Sequence, residues 1–121
     1  MKKISLTLAI LGITTVVLAQ QTDTALIRKR TQAGQMTAGR IMQKMKDSLQ
    51  LSDSAAQQIY NFTLQIQQQK YQVLDLYRGT SALPGQMTLV ENTRDSLYAT
   101  VIPPGQYQSY KQRKTSLVFN N

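Results

Sequence analysis

From residue 35 onward the apolar positions of this chain recur at intervals of three and four and never settle into a two-residue alternation, which predicts helices and argues against a sheet. Over 35–49, Ala38, Met42, Met45 and Leu49 fall on one stripe with Ile41 beside it, and a first helix is expected there. Upstream, Ala25, Leu26 and Ile27 give way to Arg28-Lys29-Arg30, and Gly34 and Gly39 weaken helical continuity, so 20–34 reads as a flexible basic arm. Ser52 suits an N-cap and Asp53 the positive end of a helix. From there Ala55, Ile59, Phe62, Ile66, Gln69, Val73 and Leu76 step by four and three in turn, a seam that predicts a long second helix closed by Gly79. Gln69 interrupts that seam, and its amide is either hydrogen-bonded inside the packing or turned outward.

Gly79, Pro84 and Gly85 make 79–86 a connection, after which the third helix should fold back antiparallel to the second. Its stripe is Met87, Val90, Leu97 and Val101, with Arg94 expected to lay its stem along the apolar line and keep its charge in water. Pro103-Pro104 stops this helix, and Pro104 suits the first turn of a short fourth one carrying Tyr107 and Tyr110. Leu117-Val118-Phe119 is left as an apolar tail, free to dock or to fray. The expected fold class is therefore all-α, a thin antiparallel hairpin of three to four helices.

The N-terminus changes the picture. Met1-Lys2-Lys3, an apolar run over 4–18 and Val17-Leu18-Ala19 have the order of an export signal, and the run falls short of the roughly 20 residues a membrane span needs. Gln20 stands where a lipid anchor would need cysteine. The expected division is a signal peptide over 1–19, the arm over 20–34, a helical domain over 35–116 and a tail over 117–121. The expected location is the periplasm or, alternatively, outside the cell, without stable membrane insertion after cleavage. Of 121 residues, about a hundred would remain, enough for one small domain.

Composition narrows the chemistry. The chain has 14 Lys+Arg against 6 Asp+Glu, a formal charge of +8, which falls to +6 once Lys2 and Lys3 leave with the signal. It contains neither Cys nor His, so disulfides, thiolate nucleophiles, His-based triads and His/Cys zinc sites are excluded. The carboxylates Asp23, Asp47, Asp53, Asp75, Glu91 and Asp95 are few and scattered. Glu91 and Asp95 beside Arg94 read as a solvated ion pair, and no nucleophile, base and oxyanion donor assemble. No enzyme activity, cofactor or metal is expected.

Two short stretches carry a resemblance. Leu51-Ser52-Asp53-Ser54-Ala55 and Ile102-Pro103-Pro104-Gly105-Gln106 each precede a predicted helix, and both resemble the LTxxQ-type motif of the Spy/CpxP-like periplasmic proteins. Ala55 replaces the glutamine of the first copy, with Gln57 and Gln58 within a turn, and Pro103 and Gly105 depart from the second. Because Pro103 offers neither a capping oxygen nor an amide, that copy should keep the turn geometry without the reciprocal bonds of a capping box. The resemblance spans roughly 36–114. It implies a curved hairpin pairing into a cradle-shaped homodimer that binds non-native proteins without ATP, in a stress-response role, with Leu51, Ser52, Asp53, Ile102, Pro104 and Gln106 as motif residues.

An ATP-independent holdase needs apolar surface on a body that stays in solution. Tyr60, Leu64, Tyr71 and Leu74 lie on a face beside the second helix's seam and are candidates to meet clients, a dimer interface or completed core being the plainer uses. Met42 and Met45 fit ordinary core filling, whereas Met36 is placed to touch a client. Arg28, Lys29, Arg30, Arg40, Lys44 and Lys46, with Lys111, Arg113 and Lys114 later, would create a positive field that speeds encounter with acidic client segments, or serve only as a solvated face. Nucleic-acid binding is not expected, since no recognition-helix or stacking motif is present. The expected function is that of an exported chaperone-like protein binding unfolded or envelope-stress clients. The alternative is a regulatory or structural protein docking on one folded envelope partner.

Overall fold

A computed structural model of the chain describes the backbone of residues 2–120 and the side chains of residues 24–120. The expected export signal over 1–19 lies outside the residues described in full. The chain forms α1 (Lys2–Leu49), α2 (Asp53–Tyr77), α3 (Leu83–Ala99) and α4 (Pro104–Lys114), followed by a π-helical turn, Thr115–Phe119. Among the described residues there is no strand, and the all-α expectation holds. No helix, among the described residues, is long and apolar enough to cross a membrane.

The chain divides into two compact units, Met1–Gln32 and Ala33–Asn121. In the first, Leu26, Ile27, Arg28 and Lys29 are exposed, and the Thr31 hydroxyl donates to the Ile27 carbonyl at 2.8 Å. Residues 24–34, within the stretch expected as a flexible basic arm, are helical. Alanine, leucine, arginine, lysine and glutamine there are good helix formers, and a lone glycine costs only about 1 kcal/mol against alanine.

The second unit holds the core. Ile41, Met45 and Leu49 of α1, Ile59 of α2, Tyr98 of α3, Tyr110 of α4, and Leu117 and Val118 of the final turn pack together with Leu51 and Ile102. The tail therefore docks: Leu117 and Val118 bury fully, and the helical domain extends beyond the expected limit at 116. Lys44 holds the turn's end by donating its ammonium protons to the carbonyls of Ser116 and Asn120. Cations at a helix C-terminus meet the carbonyls left without a helical partner.

The α1–α2 joint follows from Leu49-Gln50-Leu51-Ser52. Gln50 takes a left-handed conformation, φ 53°, and the Leu51 amide donates to the Lys46 carbonyl at 3.1 Å, a Schellman ending with Leu51 as its buried apolar residue. Ser52 then caps α2, its Oγ accepting from the Ala55 amide at 3.1 Å. At the other end of α2, Gly79 turns the chain with φ 78°. The connection is shorter than expected, because Pro84 and Gly85 belong to the first turn of α3, where proline's missing amide costs nothing. Thr63 Oγ1 and the Tyr98 hydroxyl meet at 2.5 Å, placing positions roughly equidistant from the turn opposite one another, so α2 and α3 run antiparallel.

Candidate functional site

Three places in the second unit bring functional candidates together. At the first, both motif copies converge. Leu51 and Ile102 are buried in the same core, Ser52 caps α2, and Asp53 pairs with Lys46 at 2.5 Å. The hydrogen bond between them, then their mutual charge, raises the Lys46 pKa and lowers that of Asp53. In the second copy Pro103 is the N-cap without a side-chain bond, Pro104 starts α4, and Gln106 stands at the third position. Instead of returning to its own cap, the Gln106 side-chain amide donates to the Leu49 carbonyl at 2.6 Å. The glutamine of the second stretch thus satisfies a terminal carbonyl of α1, in place of the reciprocal bond that Pro103 cannot make.

The second place is a buried polar cluster that the sequence reading missed. Arg94 is 1% exposed, so the expectation that its charge reaches water is corrected. Its guanidinium donates to both Glu91 oxygens, at 3.0 and 3.3 Å, and to the Tyr98 hydroxyl at 3.2 Å, and Tyr98 meets Thr63. Burial opposes the Arg94 charge, but Tyr98 and Glu91 outweigh it and hold the pKa above the ordinary arginine value. Burial likewise works to raise the Glu91 carboxyl, yet Arg94 and Lys114 together bring it below its usual range.

From α4, Lys114 reaches Glu91 at 3.1 Å and Asp95 at 2.8 Å, while Tyr110 donates to Asp95 Oδ1 at 2.7 Å. The Glu91/Asp95 pair is therefore the seat on which α4 docks, and not the solvated pair expected. Tyr98 and Tyr110 add an edge-to-face contact at 5.4 Å between ring centres. Burial, then the bond to Asp95, pushes the Tyr110 phenol far above its ordinary pKa. Glutamate three residues before arginine and tyrosine four after it were readable in the sequence, whereas Thr63 and Lys114 reach the cluster only through helix packing.

The third place is the far end of the α2–α3 hairpin. The buried residues of α2 are Ala56, Ile59, Thr63 and Ile66, and those of α3 are Val90, Arg94 and Tyr98. None of residues 67–89 is buried. The predicted seam therefore loses its cover after Ile66, and its last member, Leu76, is 74% exposed. Gln69 stands half-exposed in this stretch. Leu89 is exposed too, and Tyr71, Val73, Leu74 and Met87 are only half-buried.

Of the apolar candidates, Met36 is 68% exposed, and Tyr60, Leu64, Tyr71 and Leu74 are half-buried. Met45 is fully buried, as core filling requires, and Met42 is half-buried. The basic candidates separate. Arg28, Lys29 and half-exposed Arg30 belong to the first unit, and Arg40 is exposed on α1. Lys44 is bound to carbonyls of the final turn, and Lys46 pairs with Asp53 on the surface, so both charges have partners within the chain. Among the described residues no three Asp, Glu, His or Cys side chains gather as metal ligands would. No family model, curated protein or solved structure matches the chain.

Proposed function

We propose that this protein is an exported, ATP-independent holding protein of the Spy/CpxP-like type, which binds unfolded or envelope-stress polypeptides through amphipathic helical surface and a net positive charge. One observation carries the reading: the hairpin continues for 67–89 without burying a single residue, although it carries large apolar side chains on both helices. A scattered exposed leucine is ordinary on any protein, but apolar side chains spread along a whole helical end suit a surface that covers a client's apolar groups. The charge of +6 that remains once Lys2 and Lys3 leave with the expected signal supports the second half of the reading, since it draws acidic client segments in and keeps apolar surface dispersed.

The test is light scattering from a chemically reduced, aggregating client with the purified chain in several-fold excess. Suppressed scattering is expected, with slower capture at higher salt. Scattering unchanged at low and moderate salt alike would overturn the proposal.

A further inference from the structure

The uncovered end of the hairpin begins beside an unbalanced charge. Ile59, Thr63 and Ile66 form the buried stripe of α2, and Lys70 follows four residues after Ile66 on the same line. Its ammonium lies 6.0 Å from the centre of the Phe119 ring, and Lys114 lies 5.9 Å from the same ring. Three helices thus contribute one cation each, Lys70, Arg94 and Lys114, to one neighbourhood.

The carboxylates there are already engaged. Glu91 takes Arg94 and Lys114, and Asp95 takes Lys114 and the Tyr110 hydroxyl. Neither Glu91 nor Asp95 pairs with Lys70. Burial, then the neighbouring Arg94, lowers the Lys70 pKa, and Glu91 offsets only part of the two, as expected for a half-buried cation among surplus positive charge.

We infer that Lys70, with Lys114 and the half-exposed Phe119 ring, forms a carboxylate-binding site that takes an acidic side chain of a bound polypeptide while the adjoining apolar residue rests on Phe119 and the open hairpin end. An incoming carboxylate would balance the surplus cation in surroundings that are partly dry, where a charge-assisted hydrogen bond is stronger than on open surface. This site rests on the polypeptide-binding reading and gives it a substrate preference: acidic residues beside aromatic or aliphatic ones.

The experiment is fluorescence anisotropy with a labelled, soluble peptide carrying two Phe-Glu pairs in Gly-Ser spacers, and its Phe-Gln counterpart, each titrated with the purified chain. The Phe-Glu peptide is expected to bind about tenfold tighter, the factor one well-placed charged hydrogen bond supplies. Lys70→Gln should abolish that preference, Lys70→Arg should keep it, and Arg78→Gln, which removes an exposed charge from the same helix, should leave it in place. Losing a lysine that opposes Arg94 should not unfold the chain, and far-ultraviolet circular dichroism checks this.

Equal binding of the two peptides, or equal losses from Lys70→Gln and Arg78→Gln, overturns the site. If the client is nevertheless protected from aggregation, the holding function stands without it. If the client is unprotected while the Phe-Glu preference persists, the site stands and the holding function falls.

Discussion

The two ends of the α2–α3 hairpin are built from similar residues and reach different outcomes. At the end nearer α1 and α4, Ile59 and Tyr98 are fully buried and the polar groups of Arg94, Tyr98 and Thr63 are all hydrogen-bonded. At the turn end, Leu76 and Leu89 carry comparable apolar surface and are exposed. The difference lies in how they are covered: α1, α4 and the final turn supply Met45, Tyr110 and Leu117 to one end, whereas none of residues 67–89 is buried at the other. Helical periodicity decides which side of a helix is apolar, and tertiary neighbours decide whether that side is covered.

The strongest way to break this contrast is to cut into the covered end. Ile59→Ala should cost about 2–5 kcal/mol, the lost transfer energy plus a cavity term, read as a lower urea midpoint with unchanged slope. A loss near zero would mean that the core at this end is loosely packed. Arg94→Ala follows, at about 3 kcal/mol, because it removes one partner of a buried pair and leaves the Tyr98 hydroxyl with one partner fewer. Equal stability of Arg94→Ala and the parent chain would show that the cluster carries no weight in folding.

The same end should also give the chain its pH limits. The folded-state pKa of Glu91 is lowered, so its contribution is present above the ordinary carboxylate range, near 4, and is lost as pH falls through the folded value. Tyr110 is shifted the other way: its contribution is complete below the ordinary phenol value, near 10, and declines as pH rises beyond it. Thermal melts across pH should therefore show a plateau with an acid limb weakened in Glu91→Gln and an alkaline limb weakened in Tyr110→Phe. Limbs of unchanged steepness in both variants would place the pH sensitivity elsewhere. A smaller effect is expected at the motif joint, where Ser52→Ala removes the N-cap of α2 and should cost about 1 kcal/mol.

Much of this was legible in the chain. Steps of three and four announced each helix of the second unit, Ser52 announced its cap, and Pro104 announced α4. What was not legible has a common cause. Arg94 on an apolar stripe reads as a residue whose charge escapes to water, unless one knows that Glu91 and Tyr98 of its own helix hold it while α2 and α4 bring Thr63 onto Tyr98 and Lys114 onto Glu91. Lys70 is inconspicuous in a glutamine-rich segment until the final turn brings Phe119 against it. The expected seam shares Ile59 and Ile66 with the buried face of α2, but Ala56 and Thr63 are buried where Ala55 and Phe62 were expected, and a repeat along one helix contains no information on where its partners stop. Gln106 shows the converse: a glutamine at the third position of α4, where a local capping bond is the natural reading, has its partner 57 residues away on the end of α1.

The smallest expected change in stability is also the most informative for function. Leu76→Ser and Leu89→Ser remove exposed apolar side chains, so each should shift unfolding by less than about 0.5 kcal/mol. If these side chains are buried against a client, however, each contributes roughly 1.5–3 kcal/mol to holding it, and the paired variant should bind a denatured client at least tenfold more weakly. Stability and client binding would then vary independently at the turn end, while Ile59→Ala lowers stability and leaves the contact surface in place. A large loss of stability in the paired variant would mean that the turn end is structurally covered after all. Unchanged client binding would place the contact surface elsewhere, with Met36 and the exposed face of α1 next in line.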